Sequence, residues 1–399
     1  MDKKFPHKIG ILGPDGVTGQ AVQAAIRRLG KPFALVAPAE ADIVVASPGI
    51  PYWQYPKLRA PVVSEIEWAY RWLAARRPKA TWVAVTGTNG KTTVTSLIAH
   101  LTGLSVSGNI GRPLADWVGK QVFPKGWVVE LSSFQLYGTF YFHPCVALLT
   151  NMTPDHLDWH KTLKHYIDCK RKVFARQTRQ DMAIGWIDDP HVARLFKRLS
   201  SRKHGYTLVQ ARAFDFKHHL PGDHNCLNVL SACRAAQALG ISEAVIRRRL
   251  QRFRGVPHRI ELVRTLKHSR IYNDSKSTSP ICTAVALEAM TRSVVLLVGG
   301  KDKGLSLTPI IQSSGLGQVR CMVAYGDAGK RFVSEIAPHL ERRPVYVKPF
   351  KAAVARGLKL LRPGEDFLLS PGCSSFDQFK NFEERGDVFK IIIRDHAHS

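Results

Sequence analysis

Acidic residues are scarce in this chain. Only 31 aspartates and glutamates stand against 58 lysines and arginines, a formal charge of +27. That imbalance excludes an acidic, solvating type of chain and points to anionic partners, either nucleic acid or small phosphorylated substrates. A general basic bias unrelated to function would look the same. The basic residues come in short groups (Arg27-Arg28, Arg76-Arg77, Lys170 to Lys172, Arg247 to Arg249) and form no long block. A dedicated nucleic-acid arm is therefore not expected, nor is a nucleic-acid partner. The seven cysteines include no C-x-x-C pair. Their odd number argues against a disulfide framework and reads as buried thiols in a reducing compartment. No apolar run reaches the roughly 18 residues of a membrane helix. The first residues, Met1 to Pro6, lack the apolar core of a signal peptide. Repeats and low-complexity tracts are missing as well. The expectation is a cytoplasmic protein with no membrane partner.

What is present is globular. Apolar residues make up 45% of 399 positions, which is long enough for two or three domains. The strongest local signal spans residues 81–100. A short apolar run, Trp82 to Val85, leads into Gly87-Thr88-Asn89-Gly90-Lys91-Thr92-Thr93 and then a helical pattern. A strand, a tight turn and a helix N-terminus form an anion cradle. Gly87 and Gly90 allow close approach of the backbone to a phosphate, Lys91 adds a charge, and the Thr92 hydroxyl can ligate Mg²⁺. Val85 stands where a full Walker A has its first glycine. An ordinary glycine-rich turn is the alternative; nucleotide phosphate binding is the reading adopted.

The rest of the chain alternates strands and helices. Residues 1–78 read as a small α/β unit. Its strands are at 8–13, 33–36 and 43–46, a helix runs to about Leu29, and another covers 62–75. Gly13, Gly16 and Gly19 resemble a dinucleotide-binding turn with the wrong spacing. Residues 79–256 follow with the phosphate loop, a loop at Ser107 to Gly111, strands at 127–131 and 146–150, and helices at 162–175, about 222–239 and 242–253. Glu130 ends a buried strand, where an acid is suited to Mg²⁺, although a strand-end acid can equally sit in solvent. Asp155, His156, Asp158 and His160 are a metal-like composition that a polar loop also has. Lys170 by itself reads as a solvated lysine in a basic helix. Residues 257–399 alternate six strands with helices at about 280–290, 329–338 and 350–360, the spacing of a doubly wound, mostly parallel sheet. Polar motifs follow its strands, where ligands bind in such sheets.

Together these motifs resemble the Mur ligases, the ATP-dependent amide-forming enzymes of peptidoglycan precursor synthesis. The resemblance runs through nearly the whole chain in order. It includes Ser47-Pro48-Gly49-Ile50, Gly87 to Thr93, Gly108 to Gly111, Glu130-Leu131-Ser132-Ser133-Phe134-Gln135-Leu136, Asn151 with Asp155 to Asp158, His224-Asn225 with Asn228, and His258-Arg259. It continues through Asn273 to Lys276 with Thr278, Gly299 to Lys303 and Ser370 through Gly386. The Glu-Leu-Ser-Ser-Phe-Gln-Leu string and the closing Asp-Gln-Phe-Lys-Asn-Phe string are most similar to the branch that adds glutamate to UDP-N-acetylmuramoyl-L-alanine.

The resemblance implies three α/β domains: a Rossmann-like UDP-binding one (1–78), a P-loop ATPase (79–256) and a Rossmann-like amino-acid-binding one (257–399) that closes over the site. It implies ATP, two Mg²⁺ ions, a monomer, and an acyl phosphate on the muramoyl substrate that glutamate attacks. By the same match, Gly87 to Thr93 hold the ATP phosphates, with Lys91 catalytic. Thr92 and Glu130 serve one Mg²⁺, while His156 and a carbamylated Lys170 serve the second. Asn225, Asn228, Arg259 and Asp274 lie on the ATP side. Val17, Thr18, Gly19, Ser47 and Gly49 belong with the UDP group, and Asn109 with the muramoyl part. Lys276, Thr278, Lys303, Ser375 and Phe382 belong with glutamate. Lysines and hydroxyls suit a dicarboxylate. One segment departs from the family. Val36 runs almost directly into Ala37 to Asp42, where members carry a longer stretch closing over the uracil. Thinner UDP contacts are expected. Ligation of L-glutamate or another amino acid remains an alternative, as does, from a different class, a nucleic-acid-stimulated P-loop ATPase. Folylpolyglutamate synthases share the fold but lack the closing string.

Overall fold

The computed structural model describes residues 5–266 and 268–396. Met1 to Lys4, on which the signal-peptide reading partly rests, lie outside the described residues. The strands build three sheets. The first consists of β1 (Lys8–Leu12), β2 (Ala34–Leu35), β3 (Ile43–Ala46) and β4 (Val62–Ser64), in the order β2-β1-β3-β4, all parallel. The second consists of β5 (Thr81–Thr86), β6 (Ser105–Gly108), β7 (Gly126–Glu130), β8 (Val146–Leu149), β9 (Met182–Trp186) and β10 (Arg202–Tyr206). Their order is β10-β9-β8-β5-β7-β6, again parallel. The third consists of β11 (Glu261–Leu266), β12 (Ser269–Asn273), β13 (Val294–Gly299), β14 (Val319–Tyr325), β15 (Val345–Tyr346) and β16 (Asp366–Leu369). It runs β11-β12-β16-β13-β14-β15 and is parallel apart from the antiparallel edge strand β11. Central strands covered on both faces read as continuous apolar runs. Val294-Val295-Leu296-Leu297-Val298 is the clearest, buried at every position.

The chain forms two compact units. One holds residues up to Phe216 together with Leu227–Leu250; the other holds Lys217–Cys226 together with Gln251 onward. The first unit contains the first two sheets, and a single apolar cluster runs beneath both. Trp68 and Trp72 of the helix Glu65–Arg76 join it from one side, with Trp82 stacked on Trp127 at 4.5 Å from the other. Glu67 of that helix is fully buried and accepts the backbone N–H groups of Phe140, Tyr141 and Phe142 at 3.0–3.2 Å. The expected boundary at 78/79 falls between the first two sheets, within this unit.

Several elements differ from the sequence expectation. Residues 62–64 are strand β4, not helix. β-branched Val62 and Val63 pair with β3, and the helix starts only after Ser64 caps the N–H of Glu67 at 3.2 Å. Residues 105–108, read partly as loop, form the edge strand β6. Polar residues 202–206 pair with β9 as edge strand β10, which needs only one buried side. The helix expected over 162–175 is α-helical at Leu163–Arg171 and then tightens into a 3₁₀ turn, Lys172–Phe174. A long helix over Phe382–Asp395, capped by Asn381, was not anticipated, because the family string there reads as a motif rather than a period.

Candidate active site

The phosphate loop leaves β5 with two glycines in backbone regions closed to other residues, Gly87 at φ 145° and Gly90 at φ 81°. A Cβ on Gly87 would collide with the Thr150 hydroxyl, and one on Gly90 with the Asn228 amide. The loop is tied down from the neighbouring strand end. Asn151 accepts the N–H of Asn89 through Oδ1 at 2.9 Å, and its backbone carbonyl accepts the N–H of Thr88 at 2.9 Å. The Thr150 hydroxyl donates to the Asn89 carbonyl at 2.6 Å. Thr88 Oγ1 meets the Tyr166 hydroxyl at 2.7 Å. These contacts use the N–H groups of Thr88 and Asn89 and hold the loop against the start of the helix Lys91–Thr102, whose N-terminal end suits an anion. Lys91 Nζ reaches back to the Thr88 carbonyl at 2.7 Å.

Beside the loop lies an open cleft of about 410 Å³, lined by Pro48, Gly49, Lys91, Asn109, Asp155, His156, Tyr166 and Lys170, with Ser132 to Phe134. Glu130 ends β7 against it. The carboxylate is 1% exposed, so it is not a solvated strand end. Its Oε1 accepts from Asn109 Nδ2 at 2.8 Å, whereas Oε2 is buried with no hydrogen-bond partner among the described residues. A buried, unmatched carboxylate oxygen costs free energy, and a cation is what it fits. Lys170 is not solvated either, being 2% exposed, with Nζ donating to the Gly87 carbonyl at 2.7 Å. No carboxylate lies within ion-pair distance of Nζ among the described residues. Burial, with Lys91 as a nearby like charge, pushes its ammonium down to about 7.

His156 stands at φ 53° on the cleft rim, 3.4 Å from Asp155. The cluster of two acids and two imidazoles read from the sequence is thus divided. Asp155 and His156 face the cleft, but His160 is fully buried and turned to Ser133, at 2.8 Å from its Oγ. Thr92 is half-buried at the helix start, and Asn228 packs on Gly90.

The loop after β1 carries Val17, Thr18 and Gly19 at the start of the helix Val17–Leu29. It meets the loop after β3, where Ser47 lies against Gly13 and Gly16. Val17 is exposed, as a ligand contact at a helix start can be.

The remaining candidates belong to the second unit. Lys276 and Thr278 follow β12, Lys303 follows β13 and Ser375 follows β16. These are the carboxyl ends of three adjacent parallel strands. Lys276 Nζ lies 5.6 Å above the Phe382 ring. Asp274 is buried. It accepts the N–H of Ile260 at 3.1 Å and the Ser370 hydroxyl at 2.8 Å, and burial lifts its carboxyl to about 6. Arg259 keeps a buried Nε without a hydrogen-bond partner among the described residues. Asn225 donates to the Pro221 carbonyl at 2.7 Å, on the same helix as Asn228.

Three residues that fall within the matched motifs were given no role from the sequence. Asn151 and Tyr166 brace the phosphate loop. Arg385, fully buried, donates to Ser275 Oγ and carbonyl at 2.9 and 2.7 Å, to the Cys373 carbonyl at 3.1 Å and to the Tyr325 hydroxyl at 3.2 Å. It thereby joins the loops that follow β12 and β16. An arginine inside the closing motif was the only available signal.

Comparison with known proteins agrees with this arrangement. Residues 85–212 match the Mur ligase middle domain. A solved UDP-N-acetylmuramoyl-L-alanyl-D-glutamate–2,6-diaminopimelate ligase superposes with a TM-score of 0.60 at 17% identity, over 90% of this chain and 87% of its own. The matched domain and the shared fold are those of the Mur ligases. Among curated relatives, the UDP-N-acetylmuramoylalanine–D-glutamate ligase of Pelotomaculum thermopropionicum is 36% identical over 95% of this chain and 89% of its own length. That of Geotalea uraniireducens is 37% identical over 89% and 83%. The chain belongs to the UDP-N-acetylmuramoylalanine–D-glutamate ligase family.

Proposed function

We propose that this chain joins D-glutamate to UDP-N-acetylmuramoyl-L-alanine with cleavage of ATP, as its family name states, and that it does so with the residues gathered above. The observation that carries the assignment is the cleft in which Lys91, Asn109, His156 and Lys170 converge beside the phosphate loop, with the unmatched Glu130 oxygen behind Asn109.

Residues 87–93 hold the ATP phosphates through the N–H groups that Asn151 does not already engage, and the Lys91 ammonium neutralises their charge. The substrate carboxylate, positioned with Asn109, attacks the γ-phosphorus. The bond to ADP breaks and an acyl phosphate forms. The glutamate amine then attacks the carbonyl carbon, loses its extra proton, and phosphate departs. Phosphoryl transfer depends on positioning and charge stabilisation more than on covalent help, so a rigid loop and fixed cations are the main protein contribution. Magnesium, when bound, withdraws charge from the phosphate oxygens. Thr92 and Glu130 would hold one ion; His156 and Lys170 would hold a second. Lys170 fits the latter role as a carbamate. Its amine is buried, lacks an acidic partner, and is neutral often enough near pH 7 to add carbon dioxide. Asn225, Asn228, Arg259 and Asp274 would serve the ATP side. Lys276, Thr278, Lys303, Ser375 and Phe382 would hold glutamate, whose two carboxylates match the lysines. Val17, Thr18, Gly19, Ser47 and Gly49 would take the UDP group.

We further read the chain as three domains at 1–78, 79–256 and 257–399, acting as a cytoplasmic monomer, where ATP and nucleotide-linked precursors are at hand. The test is phosphate release with UDP-N-acetylmuramoyl-L-alanine and either glutamate enantiomer. Turnover with D-glutamate alone is expected. Turnover that ignores the amino acid would overturn the ligase reading, and preference for L-glutamate would overturn the stereochemical part.

A further inference from the structure

One cluster near the cleft is left over by this mechanism. His165 and Cys169 stand one helical turn apart on Leu163–Arg171, so their side chains share a face. Fully buried His160 comes to meet them. His160 Nδ1 lies 3.2 Å from His165 Nδ1, and His165 Nε2 lies 3.7 Å from Cys169 Sγ. One nitrogen from each imidazole and the sulfur can all be chosen within 4.8 Å of one another. Zinc bonds of about 2.0–2.1 Å to nitrogen and about 2.3 Å to sulfur place tetrahedral ligand atoms roughly 3.3–3.6 Å apart. The two short approaches use opposite nitrogens of His165; with one nitrogen from that ring the three ligand atoms lie within 4.8 Å of one another, so binding must draw them together by up to about an ångström through side-chain rotation at half-buried His165.

The surroundings are those of a built site. His160 Nε2 is engaged by Ser133 Oγ at 2.8 Å, which orients the ring and directs Nδ1 at the cluster. The rings of Tyr52, Tyr137 and Trp159 pack on His165 with centroids at 4.7, 5.6 and 6.2 Å, walling the cluster with apolar surface. The single turn Leu157–His160 that delivers His160 is bracketed by two non-glycine residues in the left-handed region, His156 at φ 53° and Lys161 at φ 62°. Such strain persists only where the surrounding structure enforces it. Two imidazoles and a thiol select zinc-class cations, not magnesium, which takes oxygen.

We propose that His160, His165 and Cys169 bind one zinc-class divalent cation, with solvent as the fourth ligand. Binding replaces the Cys169 thiol proton, which leaves to water. The cation would fix at one point the residue before Lys170 and the residue four after His156. This assignment is independent of the function proposed above. It is tested by titrating the whole protein, in saturating Mg²⁺, with Co²⁺ as the probe. A thiolate-to-cobalt charge-transfer band should grow to one equivalent and vanish on adding Zn²⁺. Cys169→Ser should abolish the band, His165→Gln should weaken binding at least tenfold with the circular dichroism unchanged, and His156→Ala should retain it. No band, or a band undiminished in Cys169→Ser, would overturn the site. So would loss of the band in His156→Ala, which would put the ion among the magnesium donors.

Discussion

Lys170 shows how far one side chain's meaning depends on where it is buried. It stands in a run of three basic residues, Lys170 to Lys172, where solvation is the ordinary outcome, yet its amine lies beneath the phosphate loop on the Gly87 carbonyl. Lys170→Ala should lower turnover roughly a hundredfold or more, the usual cost of removing a group that organises charge at a reacting centre. A small carboxylate in the assay should restore part of the activity; unchanged activity in the variant would retire the carbamate. Asn151 makes a second residue-scale case. Its side chain accepts from the N–H of Asn89 and donates to the Asn89 carbonyl at 3.2 Å, while its backbone holds Thr88. Asn151→Ala keeps the backbone bond and loses the others, about 1–2 kcal/mol, so KM for ATP should rise roughly five- to thirtyfold. Initial-rate kinetics read this directly, and an unaltered KM would mean the loop holds its shape without that brace.

At the scale of elements, the helix Glu65–Arg76 packs into the apolar cluster shared by the first two sheets, and it carries a buried acid at its first position. The Glu65 carboxylate accepts the backbone N–H of Ala115, at the start of the turn Leu114–Trp117. Burial nonetheless raises its pKa to about 7 from 4.5, with Asp116 adding repulsion. The folded form therefore binds the proton more tightly than the unfolded chain. Stability from this group is greatest below pH 4.5, falls as pH rises, and levels off above pH 7. Glu65→Gln keeps an acceptor for Ala115 and removes the charge, so it should stabilise the protein at pH 8 by roughly 3 kcal/mol at most and leave it unchanged near pH 4.5. Thermal denaturation at both pH values checks the sign; a lower midpoint at pH 8 would contradict it.

For the whole molecule, the informative feature is a short one. β2 has two residues and exposed Leu35, and the chain passes through the turn Pro38–Glu40 straight into β3. If this short edge is the one expected to close over the uracil, KM for the UDP substrate should sit about tenfold above that of family members with the longer segment, a difference of about 1.4 kcal/mol in contacts. Side-by-side kinetics with one such relative measure it, and equal values would show that the shortened edge suffices. The charge of +27 suits three anionic substrates, ATP, a UDP-linked acid and a dicarboxylate.

The sequence by itself determined most of the alternation of strands and helices, the glycine-rich loop after β5 and the family, but not β4, β6, β10 or the helix Phe382–Asp395. The features it determined depend on local periodicity, on glycines at left-handed positions and on strings of adjacent residues, all legible along the chain. It could not say which polar residues would be buried. Glu130, Lys170 and His160 each had a solvated reading, and only packing between elements far apart in the chain made each of them buried. It also could not register edge strands such as β6 and β10, because one-sided burial leaves a weak pattern. The tertiary structure alone split Asp155-His156 from His160, sending the first pair to the cleft and the second imidazole to His165 and Cys169. The physical reason is the turn Leu157–His160, held between two left-handed residues: its backbone conformation, not its composition, decides which way each ring faces.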